Sequence, residues 1–499
     1  MSGQAIQSAQ SPRDMDAGDI DDGLRRVIRR GEESGSFARG VGWRDRARPW
    51  IWTLATALIL VIGGANNTYP LPRGAAEAIA ALLLGAAIAS RHSAFGRPTA
   101  SDWLVMAVPL VVLLQFVPLP PSLWTALPGR ELVADMDRAI FGQPIWRPIS
   151  LDIEATWRSL LFLIPPIAFY VAIRSGDEVR IRAILTGVVA ALAIGAAMAF
   201  LQITGMRWAY PFEDGRADNF FAIGFFTNHN HQATFALMGL MALGGWIGLH
   251  RRRRRDPSSW EALGTPDMVL AAAAIVAALL VLLTASRAGL LLMALGLPAA
   301  ALAWLAPQLG RSRKLLWPAL GLIGLGAAAF LALPFLGDGQ LGAIGERAAL
   351  ADDRRFEIWP QAVAAAQALM PAGSGFGTFR VAYEMFEPLD MVGMLYVNHA
   401  HNDYIELAIE GGIASLLLIA AFGWLWLRGT WTVWTAPLGR DALLARLGSV
   451  MLLMVMLHSL VDYPARTVTI AVLAGLAFGM MARNAALTPS RLATSGGSV

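Results

Sequence analysis

From Ile51 to Ala482 the chain is a succession of apolar runs of about 17–22 residues, each bounded by Arg, Pro, Gly or Asp. That is the length an α-helix needs to cross a hydrocarbon core of roughly 30 Å. About twelve such runs are expected to span, near residues 51–66, 74–90, 103–120, 157–173, 183–204, 232–249, 268–285, 289–306, 315–335, 405–427, 447–461 and 466–482. A soluble fold has no place to hide so much apolar surface: 56% of the 499 residues are hydrophobic and 15% charged, against roughly 25% charged in soluble proteins. The expected fold is therefore an all-α polytopic membrane protein. With no cysteine, disulfides and thiolate metal sites are excluded.

Arginine positions set the expected topology. With the N-terminus inside, the basic connections Arg91 to Arg97, Arg174 to Arg182, Arg251 to Arg255, Arg311 to Lys314 and Arg428 to Arg446 all fall on the cytoplasmic side, as the positive-inside tendency requires. Five consecutive arginines beside a span are a topology anchor, so no nucleic-acid partner is expected. The division that follows is a disordered cytoplasmic tail (1–49), a membrane domain of nine spans (50–335), a large outer loop (336–402), three more spans (403–483) and a second cytoplasmic tail (484–499). Residues 1–49 lack the apolar core of a cleaved signal peptide. The outer loop is by far the longest connection, and long loops commonly carry function.

Six stretches on that outer side hold the chemistry. NHAHNDY (398–404) alternates His399, His401 and Asp403, a spacing shared with many zinc hydrolases. It can be a metal site, a base at the membrane surface, or a polar cap. LLTASRAGLLLM (282–293) carries Arg287 as the single charge in nearly forty apolar residues. A minimal turn must divide that stretch into two spans, and an arginine so placed points to function or to interfacial anchoring.

In DDRRFEIW (352–359), Arg354 and Arg355 sit in a first helical turn behind the candidate caps Asp352 and Asp353. Cations there oppose the helix dipole, which suggests an anionic ligand, and Arg355 shares a face with Trp359. PAGSGFGTF (371–379) resembles a phosphate loop but lacks a preceding strand, so a flexible turn is expected. GFFTNHNHQATF (224–235) offers His229, Asn230 and His231, and HSLVDYPAR (458–466) offers Asp462 with Arg466 as an expected local ion pair.

Arginine forks are suited to phosphate oxygens, and near a bilayer the obvious phosphate is a lipid-linked one. Transfer of a group from a diphosphate to a hydroxyl needs a base that is neutral near pH 7, and histidine supplies it. The arginines already do the electrostatic work of a divalent metal, so neither metal nor cofactor is expected.

SRAG after an apolar run, RFEIW followed by GSGFGTF, and HNDYIELAIEGGI leading into a span resemble the bacterial O-antigen ligase and polymerase family over roughly residues 220–482. The ligase pattern is His, then Asn, Ser or Gln, nine residues, Gly, two residues, and Gly, Thr or Tyr. His401, Asn402 and Gly412 fit it, whereas Ser415 stands at the last position.

The resemblance implies a GT-C-type membrane glycosyltransferase, inverting and metal-independent, with an undecaprenyl-diphosphate-linked glycan as donor. Its acceptor would be lipid A core in a ligase, or growing polysaccharide in a polymerase making O-antigen, capsule or exopolysaccharide. It also implies a multi-pass protein of the bacterial inner membrane, in contact with membrane lipid, with both termini cytoplasmic and a periplasmic active site. Arg287 and Arg355 match the diphosphate-binding arginines and His401 the base. Asn402 and Asp403 would orient His401 or cap the helix from Tyr404, and His399 would be a bystander or acceptor contact. Arg354, Trp359, Asn230, His231 and Asp462 are supporting candidates. From another class, a transporter of polysaccharide or lipid-linked sugar would place ionisable groups near mid-membrane between internal repeats.

Overall fold

The apolar runs are helices throughout the computed structural model, which describes residues 43–65, 69–90, 98–212, 222–250, 265–305, 355, 357–393, 396–436 and 439–495. Two units are distinguished. Of the first, Met1–Ile51, the described part is helical; the second, Trp52–Val499, holds the candidate site.

In chain order the helices begin with α1 (Trp43–Ile62), α2 (Pro70–Ala89), α3 (Ala100–Leu114), α4 (Pro121–Trp124), α5 (Glu131–Phe141), α6 (Ile153–Phe162), α7 (Ile164–Arg174) and α8 (Glu178–Ile203). They continue with α9 (His229–His250), α10 (Thr265–Leu283), α11 (Arg287–Leu305), α12 (357–369) and α13 (Phe379–Glu384). The last three are α14 (Asp403–Thr435), α15 (Arg440–His458) and α16 (Val468–Ser495). Among the described residues there is no strand, only an isolated bridge between Leu119 and Arg147.

Among the described residues, seven helical segments are long and apolar enough to cross a membrane, and four shorter apolar helices accompany them. The expected span at 315–335 lies outside the described residues. Two helices run past the edges of the expected spans, α1 starting at Trp43 and α16 running to Ser495. The span expected at 157–173 is two helices joined at Leu163, where Pro165 and Pro166 follow.

Burial sorts the bundle. In α9, 83% of the spanning window is buried and in α15 72%, against 22% in α2. A helix hydrophobic all round belongs inside, and α9 packs against α8, α10, α11 and α15. These two central helices end at one side of the bundle: α9 begins with His229, and α15 finishes with His458, ahead of the turn that bears Asp462.

Candidate functional site

Asn402 turns NHAHNDY into a helix start. Its Oδ1 accepts from the amides of Tyr404 (3.0 Å) and Ile405 (3.1 Å), while its Nδ2 donates to the Leu460 carbonyl (2.9 Å). This is an N-cap that also binds α14 to the turn after α15. Asp403, expected to orient His401 or cap the helix, does neither. Its amide donates to the Ser459 carbonyl (3.0 Å), and its carboxylate accepts from Ser459 Oγ (2.7 Å) and the Ala465 amide (3.3 Å).

His401 has a φ of +49°, a left-handed backbone that a side-chain-bearing residue adopts only when its surroundings hold it there. The turn directs its Nδ1 to Asp462 Oδ1 at 3.0 Å. Asp462 is fully buried, whereas 27% of the His401 side chain is exposed. The other carboxylate oxygen accepts from Asn230 Nδ2 (2.9 Å) and Asn228 Nδ2 (3.2 Å), with His458 Nε2 at 3.6 Å and His231 Nε2 at 3.9 Å. Burial pushes the Asp462 carboxyl up, but the hydrogen bond from His401 and the electrostatic pull of the imidazoles around it prevail, holding it well below the usual carboxylate range. An ionised acceptor at Nδ1 fixes the tautomer, so the lone pair of His401 lies on Nε2.

The expected pairing of Asp462 with Arg466 does not occur. Tyr463 and the short 3-10 turn Pro464–Arg466 break the helical spacing that would have put them on one face. Arg466 instead meets three acids of α14: Glu410 through two hydrogen bonds (2.9 and 3.2 Å), Glu406 at 3.0 Å and Asp403 at 3.5 Å. Between the two clusters lies Tyr463. His399 stacks on its ring (4.0 Å between centroids), and His401 (5.0 Å) and His231 (5.2 Å) approach edge-on. His399 Nδ1 donates to Glu406 Oε1 at 2.8 Å.

The HxHxD alternation thus disperses, His399 to Glu406, His401 to Asp462 and Asp403 to Ser459. Among the described residues no set of His, Asp and Glu converges as metal ligands.

Arg355 and Trp359, one turn apart, do share a face. Arg355 Nη1 donates to the Val461 carbonyl (2.7 Å), beside Asp462, and Trp359 Nε1 to the Ala400 carbonyl (2.9 Å), beside His401. Arg354, Asp352 and Asp353 lie outside the described residues. Arg287 is the first residue of α11, after the tight turn expected there; Ser286 Oγ caps the helix by accepting from the Gly289 amide (2.8 Å). The turn is bound to the start of α9 by His229, whose Nδ1 meets the Thr284 carbonyl at 2.8 Å. The next residue, Asn230, holds Asp462.

Loop 371–379 is built rather than flexible. α14 is broken at Gly412, whose φ of 54° and ψ of −141° are open only to glycine and where a Cβ would collide with the Pro371 carbonyl. The break strands carbonyls that a continuous helix would satisfy. Amides of the loop take them up: Ser374 donates to Ile409 (2.9 Å), Gly375 to Glu410 (2.9 Å), and Ile413 of the helix donates to Pro371 (3.0 Å). The glycines bring backbone close to backbone, and the resemblance to a phosphate loop ends there. Ser415, the departure from the motif, bonds the Leu407 (2.6 Å) and Gly412 (2.9 Å) carbonyls at the same break.

A family model described as O-antigen ligase matches residues 271–420, a stretch that contains Arg287, Arg355, His399 and His401. Over those residues the chain is similar to the O-antigen ligase/polymerase family. No curated protein sequence matches it. A member of this family is a bacterial membrane enzyme of glycosyltransferase type, acting on a lipid-linked glycan and a polysaccharide acceptor.

Asp462 and its supports Asn228, His231, His458 and Tyr463 fall outside the matched stretch. Sequence reasoning included Asp462, Asn230 and His231 but passed over Glu406, Glu410, His458 and Tyr463. One signal was present: Asp403, Glu406 and Glu410 recur at helical spacing at the start of an apolar run, where acids are rare unless partnered. Gln202 gave no signal at all, yet its buried amide bonds the backbone of Ala209, Ile223 and Gly224 and so shapes the approach to α9.

Proposed function

We propose that the protein transfers a glycan from undecaprenyl diphosphate to a hydroxyl of lipid A core on the periplasmic face of the inner membrane, both termini being cytoplasmic. The observation that carries the reading is the pair formed by buried Asp462 and partly exposed His401, 3.0 Å apart. Asp462 accepts the Nδ1 proton and leaves Nε2 to act on the acceptor.

In a direct displacement, His401 Nε2 takes the acceptor hydroxyl proton as that oxygen attacks the anomeric carbon. The bond from that carbon to the diphosphate oxygen breaks on the opposite side, so the centre inverts. The leaving diphosphate gains charge that Arg287 and Arg355 would neutralise, each charge-assisted hydrogen bond being worth about 1.5–3 kcal/mol. With two guanidinium groups in that role the step needs no metal ion. Trp359 and Asn402 position the arms that bear Arg355 and His401.

Polymerase action on a second lipid-linked repeat uses the same chemistry with another acceptor, and Ser415 in place of the ligase Gly, Thr or Tyr favours it. The test is the surface-polysaccharide profile of a deletion strain complemented with wild type or His401→Ala. Bare lipid A core with accumulated lipid-linked polymer identifies a ligase. Loss of polymer length with single repeats still transferred identifies a polymerase. Full rescue by His401→Ala removes the base from the mechanism.

A further inference from the structure

Helix α5 lies in the connection between α3 and α6 and divides into three faces. Ala134 (3% exposed) and Asp137 (0%) turn inward, Asp137 accepting from the Arg147 guanidinium and from the Ile145 amide (3.1 Å). Glu131, Asp135 and Arg138 form a polar, exposed face, Arg138 pairing with Asp135. The third face is apolar and equally open: Leu132 is 55% exposed, Met136 53% and Ile140 65%, with Phe141 at 53% beyond them. Those first three residues are four apart and lie along one stripe.

The position of α5 says what covers that stripe. Its N-cap, Arg130, donates to the carbonyl of Ile149 (2.7 Å), and the next residue, Ser150, donates its amide to the carbonyl of Gln115 (3.2 Å) at the end of α3. Two hydrogen bonds therefore separate the start of α5 from the end of an apolar helix, and α6 opens a few residues further on with Ile153 (56%) and Trp157 (51%) exposed. Trp146, 64% exposed, follows α5 in the same connection. Exposed tryptophans beside span ends mark the level of the headgroups.

We propose that α5 lies in the membrane surface, with Leu132, Met136 and Ile140 among the lipid chains and Glu131, Asp135 and Arg138 in water. A stripe of four open side chains falls short of the roughly 20–30 residues a side of a stable protein interface, but it suits an in-plane amphipathic helix. The polar face carries two acids and one arginine, so apolar burial holds the helix and anionic lipid contributes nothing.

The anchor also reaches the site. The same Arg130 guanidinium donates to the Gly373 carbonyl (2.7 Å), in the loop that closes the break of α14. Bilayer contact at α5 thereby steadies the helix whose first turn follows His401.

The chain has no cysteine, so single labels can be placed in the full protein. A fluorophore is attached to Met136→Cys or to Asp135→Cys, and each protein is reconstituted in phosphatidylcholine vesicles. Spin-labelled phosphatidylcholine should quench the label at 136 at least about twofold more than at 135, and iodide should show the reverse, as in-plane burial requires. Adding anionic lipid should change neither. Equal quenching at the two positions by either agent overturns the proposal. So does a label at 136 shielded from both agents and cross-linking between copies, which would make the stripe a protein contact.

Discussion

Two polar clusters flank Tyr463, and each surrounds one charge with several partners, to opposite ends. Around Asp462, one carboxylate is ringed by donors, and one of those donors, His401, keeps an edge toward solvent. Around Arg466, three carboxylates of α14 close on a single guanidinium, and Glu406 and Glu410 are each 1% exposed. A surplus of donors around one anion leaves an imidazole free to exchange a proton. A surplus of anions around one cation locks a helix to a turn. Under the proposed mechanism, stoichiometry and exposure separate the two clusters.

The comparison breaks most visibly at Arg466. Arg466→Met should strip three buried acids of their partner, and loss of one member of such a cluster costs about 3–5 kcal/mol. Folded protein recovered in detergent should fall steeply, with the melting midpoint as the measure. A stable, inactive Arg466→Met protein would move this cluster into the chemistry.

Asp462→Asn should do the reverse, leaving expression near normal while transfer falls roughly 10²–10⁴-fold as the preferred tautomer is lost. It should also alter acid stability. Because the folded-state carboxyl of Asp462 lies below its unfolded value, its contribution is complete above about pH 4 and is lost as pH falls through the folded value. Wild type should therefore lose melting midpoint below about pH 4 more steeply than Asp462→Asn. Parallel acid profiles would count against an ionised, buried Asp462.

Arg287→Lys keeps the charge and removes the fork, so transfer should fall about tenfold with insertion unchanged, the cost of about one charge-assisted bond. Full activity in the lysine variant would reduce Arg287 to an interfacial anchor. The smallest change should follow His399→Gln, which can still donate to Glu406 but loses the stack on Tyr463. Stacking is worth about 0.5–1.5 kcal/mol, and the pH profile of transfer should not move. A shifted profile would place His399 in proton transfer.

The apolar runs, the turn ahead of Arg287 and the Arg355–Trp359 face were legible because each rests on local periodicity. The loop at 371–379 was not: its meaning depends on stranded carbonyls at Gly412, residues away in sequence and adjacent in space. The pairing of Asp462 failed for a similar reason, since four-residue spacing brings side chains together only where the backbone is helical, and Tyr463 with Pro464–Arg466 is not.

Sequence alone determined that this chain is a helical membrane protein and which family it resembles, and it singled out His401 and the two arginines as candidates. Span length and motif are properties of neighbours along the chain. Only the tertiary structure decided that Asp462 rather than Asp403 holds His401, that Arg466 answers to α14, and that Tyr463 stands between three histidines. Those pairings join α9, α14 and the turn after α15, and the packing of the bundle, rather than any local preference, brings them within hydrogen-bonding distance.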